Sequence, residues 1–325
     1  MTIRLRDGVE ITLSDGTRVV CDADDPDGDV AVVTHAHGDH LPDGELTAVC
    51  SPLTAALGTA RREDPLHRTT DDRVTLIPAG HVAGSRVALV TDPDGTRYCY
   101  TGDTSPRSRD YLDGFDPAAA GDVDVLVTES TYGAPGYEFP PHDAVVKEIL
   151  TWLAETDAPV LLFGYALGRA QTLQRLAARA GRRVLTTQAV LRVNDPITDQ
   201  LGVSFDVTEY DSATHDLGPD DALVLPLTSA RADWIDTLRD QTGALAAGFS
   251  GWAVEDSFRF RGDYDAVFPL SDHADFAELC SLVEALDPAR VYTQHGETTT
   301  LATHLTRRGY DATALRPGQS TLGEF

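Results

Sequence analysis

The chain has 325 residues, enough for one large domain or two ordinary ones around a buried core. It carries 52 acids against 26 bases, a formal charge of −26 that ordinarily speaks against nucleic acid as a partner. No apolar run is long enough to span a bilayer and no signal-peptide pattern opens the chain, so the expectation is a soluble, cytoplasmic protein without a membrane partner.

The charge is distributed rather than gathered in a tail. Asp22, Asp24, Asp25, Asp27 and Asp29 form one acidic cluster, Asp220 and Asp221 another, and Lys147 is the only lysine. Such a surface, with arginine in place of lysine, resembles the proteins of salt-loving archaea. Molar salt shrinks the reach of each charge to about 3 Å, so on this reading the acids report the solvent and do not veto a nucleic-acid partner; the alternative is a mesophilic protein with a basic partner. Cys21, Cys50, Cys99 and Cys280 make no C-x-x-C pair, which excludes a zinc ribbon or thioredoxin motif and points to buried free thiols.

In chain order, Met1–Ile3 and Val9–Leu13 read as polar, strand-like segments. Short strands follow at Arg18–Cys21, Val30–Thr34, Arg73–Ile77, Arg86–Thr91, Arg97–Thr101 and Val123–Thr128. They are rich in Val, Tyr and Thr and bounded by Asp/Gly/Pro turns. Pro52–Arg62 reads as a helix. After Gly133 strands and helices alternate: helix Asp143–Glu155, strand Pro159–Phe163, helix Leu167–Ala180, strands Arg183–Thr186 and Ala222–Pro226, and a helix over Arg231–Asp240. That alternation predicts a parallel α/β unit. Strand Ala266–Leu270, helix Asp275–Leu286, strand Arg290–Gln294 and helix Thr298–Arg308 complete the chain, as if one domain interrupted another.

Thr34-His35-Ala36-His37-Gly38-Asp39-His40 follows directly on a buried strand. Neutral imidazole and carboxylate are ligands for zinc and related divalent metals, and a tight loop lets alternate residues face two neighbouring ions. One loop cannot fill two coordination spheres. Further candidates stand just past later strands: His81 in Pro78-Ala-Gly-His81, Asp103 in Thr101-Gly-Asp103, and His295 in Gln294-His295-Gly296.

This series resembles the ligands of the metallo-β-lactamase superfamily. The resemblance implies an α/β fold, an αββα sandwich holding two divalent ions, zinc first and manganese as the other option. His35, His37 and His81 would hold one ion, Asp39, His40 and His295 the second, and Asp103 would bridge. Asp39 is also carried as a catalytic residue.

Three further segments resemble the β-CASP nucleases within that superfamily: Val127-Thr-Glu129-Ser-Thr-Tyr132-Gly133, Leu270-Ser-Asp-His273-Ala-Asp275, and Gln294-His295-Gly296-Glu297. The likeness extends through Phe163-Gly-Tyr165-Ala-Leu-Gly168-Arg-Ala-Gln171 and Phe249-Ser-Gly-Trp252 to ligase-associated DNA exonucleases and archaeal mRNA 3′-end processing factors. It implies a first core part at 1–133, an inserted α/β β-CASP domain at 134–265 and a second core part at 266–325. In the expected chemistry His273 protonates the leaving oxygen and Glu129 orients it. Substrate would be single-stranded DNA or RNA, cut from a 5′ end or processed at an RNA 3′ end. Dimers occur among such proteins, and a homodimer stays open.

Substrate contacts are read from Arg169, Arg192, Arg259 and Arg261, from Trp252 or Tyr165 as stacking partners, and from Ser271. The Gly164–Gly168 stretch before a helix offers a phosphate its backbone N–H groups, or is an ordinary strand–helix turn. The alternatives are a glyoxalase- or lactonase-type hydrolase, which should lack Glu129 and His273, and a non-catalytic nucleic-acid-binding subunit, which should have lost ligands.

Overall fold

In a computed structural model, residues 2–212 and 215–317 are described. Met1, the first residue of the expected opening strand, lies outside them, as does the side chain of Arg261. The chain divides into two units, one of Met1–Glu138 with His273–Phe325 and one of Phe139–Asp272.

The first unit begins with β1 (Thr2–Leu5), β2 (Val9–Thr12), β3 (Arg18–Cys21), β4 (Val30–Val32), β5 (Leu46–Val49) and β6 (Leu66–Thr69), which lie side by side in chain order. β1 to β3 form an antiparallel meander, and β3 to β6 are parallel. α1 (Pro52–Arg61) carries the chain from β5 to β6. It starts where it should, because the Ser51 side chain accepts the Thr54 N–H and Pro52 needs no partner in the first turn. β5 and β6 are absent from the sequence reading: only Leu66 of β6 is buried, so the strand shows no alternation. The chain then forms β7 (Val74–Pro78), β8 (Arg86–Thr91), β9 (Arg97–Tyr100) and β10 (Val125–Ser130).

The second unit is a parallel sheet between helices. α2 (His142–Glu155), β11 (Val160–Gly164), α3 (Arg169–Arg179), β12 (Arg183–Thr186), α4 (Gln188–Leu201), β13 (Thr208–Glu209), β14 (Asp221–Pro226), α5 (Asp233–Thr242), β15 (Leu245–Phe249), α6 (Ser257–Arg261) and β16 (Ala266–Phe268) follow in sequence. The strands lie in the order β13-β12-β14-β11-β15-β16, all pairs parallel. Along β11, Val160 and Leu162 enter one apolar core while Leu161 and Phe163 enter another. Both faces of the strand are thus covered, which is why it reads as a continuous apolar run. α4 escapes the sequence reading because Pro196 sits inside it. The boundary expected at residue 266 is corrected: β16 pairs with β15, so this strand belongs to the second unit.

On returning to the first unit the chain forms α7 (Phe276–Leu286), β17 (Arg290–Gly296), α8 (Thr298–Arg307) and β18 (Ala312–Ala314). β17 inserts beside β10 and completes a second sheet, β18-β17-β10-β9-β8-β7. The period-two alternation of β8 sorts its side chains between two cores. Ala88 and Val90 meet Val9, Ile11 and Val19 of the first sheet, while Val87 and Leu89 meet Phe276, Leu279, Leu301 and Leu305 of α7 and α8. The unit is therefore two stacked sheets with helices on the outer face of the second. All four cysteines are free and buried, as expected. Among the described residues no helix is long and apolar enough to cross a membrane.

Candidate active site

β9, β10 and β17 run parallel, so their C-terminal ends share one edge of the sheet. Asp103 follows β9, while Glu129 and His295 are the penultimate residues of β10 and β17. Gly80 and Gly102, directly before His81 and Asp103, have φ of +74° and +52°. A Cβ at Gly80 would fall 2.1 Å from the Ser105 carbonyl, and one at Gly102 would fall 2.5 Å from Thr34 Oγ1. Only glycine allows both the left-handed backbone and the close approach.

The histidine loop is anchored from below by Asp22, which follows β3. Its carboxylate accepts the Thr34 N–H at 2.8 Å, the Thr34 hydroxyl at 2.6 Å and the Tyr100 hydroxyl at 3.0 Å. His40 Nδ1 lies 3.0 Å from the same group. Asp22 is thus corrected from a member of the surface acidic cluster to a buried organiser of the site. Its only sequence signal is its place at a strand end. On the other side of the loop Arg61 donates to the Ala36 carbonyl, between His35 and His37.

The imidazoles converge. His37 Nδ1 is 3.1 Å from His35 Nε2 and 3.2 Å from His81 Nε2. Asp103 Oδ2 is 3.5 Å from the Nε2 atoms of both His35 and His81, and 3.6 Å from that of His40. Donor atoms of His35, His37, His81 and Asp103 all lie within 4.8 Å of one another. A second such group joins Asp22, His35 and His40, and a third joins Asp103, Glu129 and His273. Asp39 and His295 are exposed and belong to none of these groups, although His40 Nε2 is 3.8 Å from Asp39 Oδ2.

The donor set fits a divalent cation. Asp103 is buried, and among the described residues its Oδ1 has no hydrogen-bond partner. Burial, with the nearby imidazoles of His40, His37 and His81, pushes His35 well below its ordinary pKa and keeps it neutral, the form that binds a metal. Burial also opposes charge on His40. There the carboxylates of Asp103, Asp22 and Asp39 outweigh it and raise the imidazole to about 10.

Beside this cluster, Glu129 is fully buried and fully engaged. One carboxylate oxygen accepts the Thr104 N–H at 2.6 Å; the other accepts the Thr131 hydroxyl at 2.5 Å and lies 2.9 Å from His273 Nδ1. Burial works against its charge, but His273 and these hydrogen bonds hold its carboxyl below the usual range. The His273 ring stands 4.5 Å from that of His81, centroid to centroid.

The expected strand contacts fare differently. Arg169 is corrected: it is 4% exposed, pairs with Asp272 at 2.9 and 3.1 Å and donates to the Phe249 carbonyl at 2.7 Å. Its donors serve the interior of the second unit, not a phosphate. Ser271 is likewise buried, Trp252 is half-buried in a short 3-10 turn, and Tyr165, Arg192 and Arg259 are exposed.

No protein-family model matches the chain. It is 33% identical over 301 residues to a protein named probable DNA ligase from Opitutus terrae, covering 87% of this chain and 28% of that one. It is 25% identical over 298 residues to DNA cross-link repair protein SNM1 of Arabidopsis thaliana, covering 80% of this chain and 59% of that one. Over 108 residues it is 33% identical to endoribonuclease ysh-1 of Neurospora crassa, covering 33% of this chain and 13% of that one. The chain therefore spans only part of each of these relatives. A crystal structure of a protein of unknown function from Enterococcus faecalis V583 superposes with a TM-score of 0.67, at 13% identity, covering 98% of both chains.

Proposed function

We propose that the chain is a two-metal nuclease of the β-CASP branch of the metallo-β-lactamase superfamily. It hydrolyses phosphodiester bonds in single-stranded DNA or RNA, working from a 5′ end. The two stacked sheets are the inner layers of an αββα sandwich, and the parallel second unit is the inserted β-CASP domain. His35, His37 and His81 would hold one ion and Asp39, His40 and His295 the other, with Asp103 within reach of both sets. Bound there, divalent ions such as zinc or manganese would supply a nucleophile at neutral pH and offset charge on the phosphoryl group.

The observation that carries the reading is the contact of His273 with Glu129 beside the histidine cluster. His273 Nδ1 faces the carboxylate, and the ring gives a proton to the leaving oxygen. Glu129 orients the ring and stabilises its charged form. Asp22 and Thr34 hold the histidine loop in place for this chemistry. A glyoxalase-type thioester hydrolase has no need of such a pair, because a thiolate leaves without the proton an alkoxide requires.

DNA is the favoured substrate, since the relatives that match most of the chain carry DNA in their names. The endoribonuclease match over a third of the chain supports RNA as the second reading. Cleavage of matched 5′-labelled single-stranded DNA and RNA oligonucleotides, in concentrated KCl with zinc or manganese, tests the proposal. Wild type should cut in a metal-dependent way and His273→Ala should not. Metal-loaded, folded protein that cuts neither strand would sink it.

A further inference from the structure

The stretch that follows Asp103 touches each part of the candidate site. Besides its N–H bond to Glu129, Thr104 donates its hydroxyl to the Ala79 carbonyl at 2.9 Å and accepts the Ala274 N–H at 2.7 Å. The Ser105 N–H also donates to the Ala79 carbonyl, at 3.0 Å. Ala79 lies two residues before His81, and Ala274 follows His273 directly.

Two arginines follow. Arg109 is 5% exposed, and its Nη2 donates to the carbonyl of Gly80 and to that of His81 at 2.6 Å. Arg107 grips Glu278 through Nε at 2.6 Å and through Nη2, and the same Nη2 donates to the His273 carbonyl at 3.3 Å. Glu278 is itself fixed, because it and Asp275 form the reciprocal cap of α7, each side chain accepting the other's N–H at 2.9 Å.

We infer that Arg109 and Arg107 are positioning residues, which set His81 and His273 against each other by holding their backbone carbonyls. The two N–H donors of a guanidinium Nη2 point in fixed directions within one plane, an orientation that a freely rotating lysine ammonium does not impose. A carbonyl that is held fixes the peptide plane, and with it the direction in which the ring leaves the backbone. His81 carries a donor atom of the histidine cluster and His273 the leaving-group proton, so one short stretch of chain fixes the distance between metal and acid. A shift of about 1 Å in such a relation can cost about 100-fold in rate. The part concerning Arg107 rests on the nuclease reading; the part concerning Arg109 rests only on metal binding.

The test uses full-length Arg109→Gln, Arg109→Lys and Arg107→Gln, each checked for native circular dichroism. Cobalt titration followed by visible absorption reports metal affinity and geometry, and oligonucleotide cleavage reports kcat and KM. Arg109→Gln should weaken cobalt binding about 10- to 100-fold and shift the absorption bands, with partial recovery in Arg109→Lys. Should Arg109→Gln not fold, the cobalt spectrum of Arg109→Lys against wild type decides. Arg107→Gln should lower kcat about 10- to 100-fold with KM and cobalt affinity unchanged. Wild-type cobalt affinity and spectrum in folded Arg109→Gln would overturn the role of Arg109. Unchanged kcat in Arg107→Gln would overturn that of Arg107. An inactive wild type would remove the nuclease reading and the role of Arg107 with it, while cobalt binding would still decide Arg109.

Discussion

The carboxylate of Asp22 lies 3.0 Å from His40 Nδ1, and neither residue is more than 6% exposed. In the run of aspartates from 22 to 29, only its place at a strand end sets Asp22 apart. Asp22→Ala strips the Thr34 and Tyr100 hydroxyls of their acceptor, which should cost about 1–3 kcal/mol of stability in urea unfolding. Zinc affinity should fall about 10- to 100-fold. A variant that binds zinc like wild type would mean that His40 needs no such support.

His273→Ala and Glu129→Gln should each lower kcat about 100- to 10,000-fold with metal content intact. Because the two side chains are in contact, the double variant should be little slower than the worse single one. Additive losses in steady-state kinetics would show that they act separately.

Metal analysis should find two equivalents per chain. Chelation should lower the melting temperature, because an ion at 100 times its Kd contributes about 2.7 kcal/mol. His81→Ala should lose one equivalent, since His81 sits in the tight group with His35, His37 and Asp103. A chelator that leaves the melting temperature untouched would argue that the cluster holds no ion.

A chain with a formal charge of −26 should gain stability as KCl rises from millimolar to molar, because screening shortens the repulsion between its acids. Melting temperatures measured across that range should climb steadily. A flat or falling curve would remove the salt-adapted reading of the composition.

The cysteines should be silent. Burial pushes Cys99 up to about 12 and Cys50 up to about 11, and raises Cys21 and Cys280 as well. Buried thiols stay protonated and out of a reagent's reach, so at pH 8 an alkylating reagent should label none of the four in native protein and all four in urea. Mass spectrometry reads the count, and rapid native labelling of any one would contradict its burial.

What the sequence determined by itself is the chemistry that has to be contiguous. Three histidines and an aspartate in six residues are costly to explain as packing, and Gly80 and Gly102 stand before His81 and Asp103 because the backbone there admits no side chain. Strands covered on both faces, such as β11, announce themselves as apolar runs. Tertiary structure alone decided the rest, since burial belongs to the fold and not to the residue. It took Asp22 out of a surface cluster and placed it under His40, and it turned Arg169 inward to Asp272. It also kept Pro196 inside a helix, where packing of Val190, Val193 and Ile197 outweighs the lost hydrogen bond. Local pattern records which groups can bind a metal or fill a core; only the path of the chain records which of them meet.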